Sequence, residues 1–273
     1  MLPRMKTTAA VLHEMERPFP YADSLPMVIE ELDLEGPDEG EVLVEVKGAG
    51  LCHSDLSVIN GSRPRQMPMV LGHEASGIVR EVGPGVRGLK AEDHVIFTFI
   101  PSCGHCRYCT VGKPSLCQNG AEANNAGVLM NGAQRFSRNG QSYFHHCGVS
   151  GYSQYTIALP GSLVKIDSTL PFELATLFGC AVTTGTGAAM NTANIRPGQS
   201  VAVFGLGGVG LAALIGAKAC NAGQIIAVDL LDSKLEMARN LGATHTVNAK
   251  DTNPVEVIQD LTHGGVEIAI ESV

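Results

Sequence analysis

The densest group of metal-binding side chains lies in the stretch SCGHCRYCTVGKPSLC, residues 102–117, which holds half of the chain's eight cysteines in the pattern C-x2-C-x2-C-x7-C. Two-residue spacings let neighbouring thiolates reach one tetrahedral ion, and a fourth sulfur from the same loop closes the cage. An iron–sulfur cluster and a redox pair are the alternatives. The spacing and a reducing setting favour a closed, structural zinc site. Its predicted ligands are Cys103, Cys106, Cys109 and Cys117.

Three further candidate ligands are scattered along the chain: Cys52 in GLCHSDL, His73 in LGHEASG and Cys180 in FGCAVTTG. Two sulfurs and one imidazole make a zinc site with an open position, which is the catalytic arrangement. Asp55 is predicted to orient the ligand histidine through a hydrogen bond. Because a lone cysteine on an apolar strand is usually a small buried hydrophobe, this prediction depends on the cofactor motif below.

His145, His146 and Cys147 also carry ligand atoms. Adjacent side chains of such a run rarely all point at one ion, and the run lies in a polar segment. We therefore expect them to be surface or packing residues, and Cys220 to be packed in a core.

A glycine motif follows an apolar run and opens a helical one in VAVFGLGGVGLAALIGAKA, residues 201–219. Its G-x-G-x-x-G pattern permits a tight turn, a close approach of pyrophosphate and close helix–strand packing, with the helix N-terminus facing the phosphates. The motif therefore predicts a dinucleotide site. The predicted contacts are Gly205, Gly207, Gly208, Val209 and Gly210.

Asp229 ends the next apolar run. A carboxylate there accepts hydrogen bonds from the adenosine ribose hydroxyls and repels a 2′-phosphate, which favours NAD over NADP. The alternative is an N-cap role, because Asp232 and Ser233 also lie at the start of that helix.

Two kinds of scaffold are needed to position these residues. Up to about residue 169, short alternating runs separated by glycine and proline predict a small β barrel or curled sheet; they are 41–50, 76–83, 93–99, 153–159 and 163–166. Helical apolar spacing at 170–191 opens at Pro171. Strands then alternate with helices, which predicts a parallel sheet; the strands are 201–205, 225–229, 244–247 and 266–270. The predicted domains are 1–181 and 182–273.

Composition narrows the choice of partners. The formal net charge is −8, with no basic run and no apolar stretch of membrane-spanning length, so we expect neither a nucleic-acid nor a membrane partner. The N-terminal residues have no secretory h-region, which favours a cytoplasmic location.

The cysteine loop, GHE, GCAVTTG, GLGGVG and Asp229, in this order, resemble the zinc-dependent medium-chain alcohol dehydrogenases over nearly the whole chain. The resemblance implies an α/β plus β fold, with a GroES-like β-barrel catalytic domain followed by a Rossmann doubly wound parallel sheet. It implies two zinc ions per chain, NAD, and a small-molecule alcohol or aldehyde substrate. It also implies a homodimer or homotetramer for the full-length enzyme.

The same resemblance assigns roles to individual positions. Ser54 stands where a hydroxyl hydrogen-bonds the substrate oxygen, and Glu74 is a transient ligand behind the zinc. The implied cofactor contacts are His53 at the pyrophosphate, Thr184 near the nicotinamide, and Lys234 at the ribose beside Asp229.

Some positions depart from the family pattern. Ser57 replaces the histidine that serves some members as a relay base, and Glu92 replaces a turn glycine. The chain resembles the glutathione-dependent formaldehyde branch, but the positions that bind the glutathione adduct there are Arg63 and Ala121 here. A simple alcohol or aldehyde is therefore the expected substrate, with S-(hydroxymethyl)glutathione as the alternative.

Only four of the usual six dinucleotide-fold strands are predicted, so we expect the chain to be a C-terminally truncated fragment and the activity to belong to the intact enzyme. Outside the enzyme class, the alternative is a zinc-binding interaction module that works through the cysteine loop.

Overall fold

The computed structural model describes residues 4–273. It divides into two compact units, the first ending at Cys180 and the second comprising Ala181–Val273. The sequence placed this boundary after residue 181. No helix among residues 4–273 is long and apolar enough to cross a membrane.

The first unit is built mainly from short strands. They are β1 (Arg4–Leu12), β2 (Met27–Glu35), β3 (Val42–Gly50), β4 (Met69–Val70), β5 (Glu74–Val82), β6 (His94–Phe97), β7 (Phe136–Arg138), β8 (Gln141–His145), β9 (Tyr155–Ala158) and β10 (Leu163–Lys165). Its short helices are α1 (Tyr21–Ser24), α2 (His53–Ile59), α3 (Arg107–Thr110), α4 (Gln118–Ala126) and α5 (Phe172–Ala175).

These strands form two sheets. β1, β2, β7, β8 and β4 close into a barrel in that order, and a five-stranded antiparallel sheet has the order β10-β6-β5-β3-β9. Alternate residues of β1 and β2 fill the barrel, with Val11, Leu32 and Leu34 almost fully buried.

β1 and β2 were not predicted from the sequence. Charged residues interrupt their apolar alternation, and several of these charges pair across the two strands, as Lys6 does with Asp33 at 3.0 Å. The pairing makes strands of segments that look too polar when each is considered alone.

The second unit contains β11 (Ser200–Phe204), β12 (Gln224–Asp229), β13 (His245–Asn248) and β14 (Ile268–Glu271). Its helices are α6 (Ala181–Gly187), α7 (Gly208–Ala219), α8 (Asp232–Leu241) and α9 (Pro254–Thr262). The strands pair in parallel in the order β13-β12-β11-β14. β11 and β12 are buried along their middles, as expected for strands covered on both faces. The predicted barrel followed by a parallel sheet is confirmed.

The helical spacing at 170–191 does not form one continuous helix. α5 passes into a 3₁₀ turn at Thr176–Gly179, and helical geometry stops at Cys180, where φ is −141° and ψ is −73°. α6 then begins at Ala181. Periodicity alone did not reveal this interruption, which isolates Cys180 from both helices.

Candidate functional site

Strand pairing brings two of the predicted ligands together. β3 and β5 are antiparallel neighbours, and their register places Gly50 directly opposite Glu74. Cys52 lies two residues beyond Gly50 and His73 one residue before Glu74, so both emerge at the same end of the pair. A Cβ on Gly50 would lie 2.2 Å from Glu74 Oε2, so the glycine makes room for the carboxylate.

The break after α5 delivers the third predicted ligand. Ser76 on β5 bonds the Thr176 hydroxyl at 2.7 Å and donates to the Phe172 carbonyl at 2.8 Å, which ties this segment to the same strand. A Cβ on Gly179 would lie 2.5 Å from the carbonyl oxygen of Phe97 in β6. Cys180 is thereby held at the end of the sheet where β5 begins.

These pieces form a compact, mostly buried donor set. Ligand atoms of Cys52, His73, Glu74 and Cys180 all lie within 4.8 Å of one another. His73 and Glu74 are 2% and 3% exposed, and Cys52 is half-buried. His73 Nε2 is buried and has no hydrogen-bond partner in the described chain. A buried nitrogen without a partner is costly, and a metal ion would satisfy it.

Electrostatics point the same way. The nearby Cys180 thiol, together with His73, lowers the pKa of Cys52 to about 3, whereas the Cys52 sulfur and burial raise the pKa of Cys180 far above its usual range. Burial also raises the pKa of Glu74. Two adjacent sulfurs cannot both ionise without a cation, and Zn²⁺ stabilises both thiolates. Sulfur, sulfur and imidazole are zinc donors, so these residues fit the ion.

Asp55 orients the histidine of this set. His73 Nδ1 lies 3.1 Å from Asp55 Oδ1, the Tyr152 hydroxyl lies 3.0 Å from Asp55 Oδ2, and the Gly72 amide donates to Asp55 at 3.3 Å. Burial acts to raise the pKa of Asp55, but the nearby His146 and His73 rings outweigh it and hold the pKa below its usual range. The ionised carboxylate fixes the ring with Nε2 available to a metal.

Of the two roles expected for the histidine run, surface or packing, burial favours packing. His145 and His146 are 0% and 4% exposed, so neither is a surface residue. His146 Nδ1 lies 3.3 Å from Asp55 Oδ1, and its ring meets the His73 ring edge-on, with centroids 5.6 Å apart. The run begins at the last residue of β8, which pairs in parallel with β4, the strand that leads to His73. No local pattern reveals this pairing.

The cysteine loop forms a second donor set. Sulfurs of Cys103, Cys106, Cys109 and Cys117 all lie within 4.8 Å of one another, and no disulfide joins any cysteines of residues 4–273. Cys117 Sγ accepts hydrogen bonds from the amides of Cys103 at 3.3 Å and Gly120 at 3.4 Å. Amides of Cys109 and Gln118 lower the pKa of Cys106 to about 6. The loop fits a closed four-sulfur zinc site.

In the second unit, the glycine loop joins β11 to α7. Gly205 has φ +83°, a left-handed conformation that favours glycine, and a Cβ on Gly210 would lie 1.8 Å from the Gly205 carbonyl oxygen. Asp229 ends β12, the neighbouring strand, and its carboxylate accepts hydrogen bonds from the amides of Leu206 at 2.7 Å and Leu230 at 2.8 Å. These contacts hold the pKa of Asp229 below its usual value despite burial. Lys234 Nζ lies 3.6 Å from Asp229 Oδ2.

The other predicted residues lie at exposed or partly exposed positions. Ser54 and the exposed His53 begin α2, directly after Cys52, and Thr184 is exposed on α6. The Ser57 hydroxyl donates to the His53 carbonyl at 3.0 Å, so it is bound to its own helix. Glu92 has φ 69°, which explains why a glycine suits that turn.

Known proteins resemble the chain along nearly its whole length. Residues 38–168 match the Alcohol dehydrogenase GroES-like domain family, and residues 208–273 match the Zinc-binding dehydrogenase family. An S-(hydroxymethyl)glutathione dehydrogenase of Synechocystis is 44% identical, with 98% of this chain and 72% of the relative covered. One of the same name from Escherichia coli is 42% identical, with the same coverage.

Solved structures agree in fold. A zinc-binding-domain alcohol dehydrogenase protein from Burkholderia ambifaria superposes with a TM-score of 0.90 at 37% identity, covering 99% of this chain and 71% of that one. The benzyl alcohol dehydrogenase of Acinetobacter calcoaceticus gives 0.88 at 36% identity, with 98% and 71% covered. With both donor sets and the glycine loop in place, the chain belongs to the zinc-dependent, NAD(P)-linked medium-chain alcohol dehydrogenase family.

Proposed function

We propose that this protein oxidises a primary or secondary alcohol reversibly to an aldehyde or ketone, with NAD as the hydride acceptor. The proposal rests on the convergence of Cys52, Cys180 and the unpartnered Nε2 of His73, which would hold the catalytic zinc. Three protein ligands leave one coordination position for substrate. When bound, zinc lowers the pKa of an alcohol hydroxyl and NAD supplies the nicotinamide that accepts hydride.

The chain's own residues divide the remaining work. Asp55 keeps the His73 ring oriented through the 3.1 Å contact at Nδ1. Ser54 Oγ, on the first turn of α2, would take the proton of the substrate hydroxyl and pass it toward solvent. Glu74, whose ligand oxygen lies within 4.8 Å of the other donor atoms, would serve as a transient oxygen ligand of the ion.

NAD is favoured over NADP by the position of Asp229. Backbone amides stabilise its charge and leave a carboxylate at the end of β12, where it would bind the ribose hydroxyls together with Lys234. A 2′-phosphate at this place would meet like charge. Gly205, Gly207, Gly208, Val209 and Gly210 would hold the pyrophosphate, with His53 as a further pyrophosphate contact and Thr184 near the nicotinamide.

The four clustered cysteines would hold a second zinc with no open position. That ion would stabilise the segment 103–117, which contains few apolar side chains of its own. Eight cysteines without a disulfide suit a reducing compartment, so the proposed location is the cytoplasm. The proposed assembly is a homodimer or homotetramer.

A second candidate substrate is S-(hydroxymethyl)glutathione, because relatives at 42–44% identity carry that name. Arg65 Nε is buried without a hydrogen bond, while Arg65 Nη1 donates to the Pro64 carbonyl at 2.9 Å, and no ion pair of Arg63 or Arg65 is found among residues 4–273. Unpaired guanidinium groups suit an anionic substrate. Arg63 also replaces the acidic side chain of the glutathione-dependent branch, so the neutral alcohol remains the first choice.

The test combines binding with turnover. Elemental analysis should find two zinc ions per chain, NADH fluorescence should rise on binding, and a panel of alcohols and aldehydes should include S-(hydroxymethyl)glutathione. Turnover of neutral alcohols above the glutathione adduct supports the first substrate, and the reverse order supports the second. One zinc without nucleotide binding would instead identify a zinc-binding interaction module.

A further inference from the structure

His146 is a buried histidine next to the proposed catalytic metal site to which the resemblance assigns no role. It is 4% exposed and lies just after β8. Its amide donates to Ser150 Oγ at 3.1 Å, and its carbonyl accepts from the amides of Val149 and Ser150 at 3.0 and 3.1 Å. This tight turn fixes the backbone from which the ring projects, so the ring's placement is built into the fold.

The ring of His146 faces two residues of the site. Its Nδ1 lies 3.3 Å from Asp55 Oδ1, the same oxygen that His73 Nδ1 approaches at 3.1 Å. The two imidazole planes are nearly perpendicular, at 86°. Ligand atoms of Asp55, His73 and His146 lie within 4.8 Å of one another, and all three residues are buried. The Asp55 carboxylate therefore contacts the imidazole rings of both histidines.

Asp55 accepts hydrogen bonds from the Tyr152 hydroxyl and the Gly72 amide, so of the two groups it is His146 Nδ1 that lacks a partner among residues 4–273. His146 Nδ1 has no aligned hydrogen-bond partner in the described chain, and a small rotation of the ring would complete a bond to Asp55. Asp55 is 3% exposed, so its charge depends on the donors around it. Leaving His146 Nδ1 unsatisfied would cost about 1–3 kcal/mol, which favours its contact with Asp55.

We propose that His146 is a positioning residue of the metal site. It holds the Asp55 carboxylate in the orientation that turns His73 Nε2 toward the sulfurs of Cys52 and Cys180. The inference rests on the catalytic zinc site proposed above and concerns metal retention by this chain's residues, which is measurable without turnover.

Two substitutions at this position separate positioning from packing. His146→Phe keeps a ring of similar size but has no donor, whereas His146→Asn keeps a short amide donor. Zinc transfer to a chromophoric chelator measures retention, and the visible spectrum after Co²⁺ replacement reports the geometry of the ligands. The four-cysteine zinc serves as an internal reference, because it lies in a different segment of the chain.

We expect His146→Phe to lose the catalytic zinc about tenfold more readily and to shift the Co²⁺ spectrum, at the low end of the 10–100-fold typical for groups that support metal ligands. His146→Asn should recover part of both effects. Wild-type retention and spectrum in His146→Phe would overturn the proposal. Equal loss in both variants would also overturn it, because packing alone would then explain the effect.

The matched control is His145→Asn, which changes the neighbouring buried histidine. His145 Nε2 accepts from the Arg135 amide at 3.2 Å, and no contact to Asp55 is found for it in residues 4–273. The control should lower thermal stability but leave metal retention and the Co²⁺ spectrum unchanged. The same spectral shift in the control would overturn the proposal. A wild-type protein that binds only the four-cysteine zinc would overturn the catalytic site itself.

Discussion

The two donor sets differ in how their ligands are brought together. In the cysteine loop, the first and last ligands are 14 residues apart, and a local turn with short helices brings the sulfurs together. In the other set, the ligands run from position 52 to position 180 and depend on the β3–β5 register and on the helix break at Cys180. The proposed structural zinc site is therefore formed by one short segment of the chain, whereas the proposed catalytic site forms only when distant segments pack together.

The electrostatics of the two sets differ as well. Backbone amides donate to sulfurs in the loop, so part of the charge is stabilised before any ion binds. The dispersed set has buried carboxyls next to its sulfurs, and burial raises the pKa of Glu74. In the dispersed set, more of the negative charge on the sulfurs must be stabilised by the metal ion itself. An ion held in this way can act as a Lewis acid.

The largest expected effect comes from removing a dispersed ligand. Cys180→Ala should reduce kcat/KM by at least about 10³-fold, or about 4 kcal/mol, because the ion loses one of its three protein ligands. One zinc per chain should remain in the loop, and NADH binding should persist. Steady-state kinetics with elemental analysis measures this. The partly buried Cys220 provides the control, because Cys220→Ala should retain both activity and two zinc ions. Near-normal turnover of Cys180→Ala would rule out the proposed site.

Removing a loop ligand should affect stability before chemistry. Cys109→Ala should release the loop zinc and lower the free energy of unfolding by about 3 kcal/mol or more, because metal binding contributes to folding. Urea denaturation and zinc content measure the two effects. If the dispersed zinc were lost together with the loop zinc, the two sites would not be independent.

His145 and His146 are both buried, but only His146 has an acidic partner, so the pKa values of the two histidines shift in opposite directions. The effect of His145 on stability can be measured as a function of pH. Burial and the charge of Arg135 lower the pKa of His145 to about 3, whereas Cys147 and Asp55 outweigh burial and raise the pKa of His146 to about 9. The unfolded chain protonates His145 near pH 6.5, so between pH 6.5 and about 3 the unfolded state binds the extra proton. This contribution is present above pH 6.5 and is lost on acidification, by up to about 1.4 kcal/mol per pH unit.

His145→Asn should therefore make the loss of stability between pH 6.5 and 4.5 shallower than in the wild type. Urea denaturation at a series of pH values measures the slope. Equal slopes for the two proteins would show that His145 takes up its proton in the folded state.

The smallest expected effect lies away from both donor sets, at Glu92. This residue has φ 69° and pairs with Arg80 at 2.5 Å on the surface. Glu92→Gly should gain about 1 kcal/mol from relieved strain and lose less than that from the exposed pair. Glu92→Ala loses the pair and keeps the strain, so it is the matched control in denaturation experiments. Equal stability of the two variants would show that the turn is not strained.

Much of the second unit was predictable because its signals are local. The glycine motif and the apolar runs of one βαβ unit lie next to each other in the sequence, and the helix expected to start near Asp232 and Ser233 is observed at Asp232–Leu241. The barrel was less accessible. Charged residues interrupt the apolar pattern of β1 and β2, and their place in a strand is explained only by the ion pairs they form across the two strands.

The sequence by itself determined the types of ligand, the cage of four cysteines, the glycine loop and the acidic residue at the end of β12, because each depends on residue identity at short spacing. Only the tertiary structure decided that Cys52, His73 and Cys180 lie close together. It also decided that the missing side chain of Gly50 leaves room for Glu74, and that His146 and His73 both contact Asp55. These contacts arise from strand register and from an interrupted helix. Both are settled by packing between segments far apart in the chain, which no local pattern specifies.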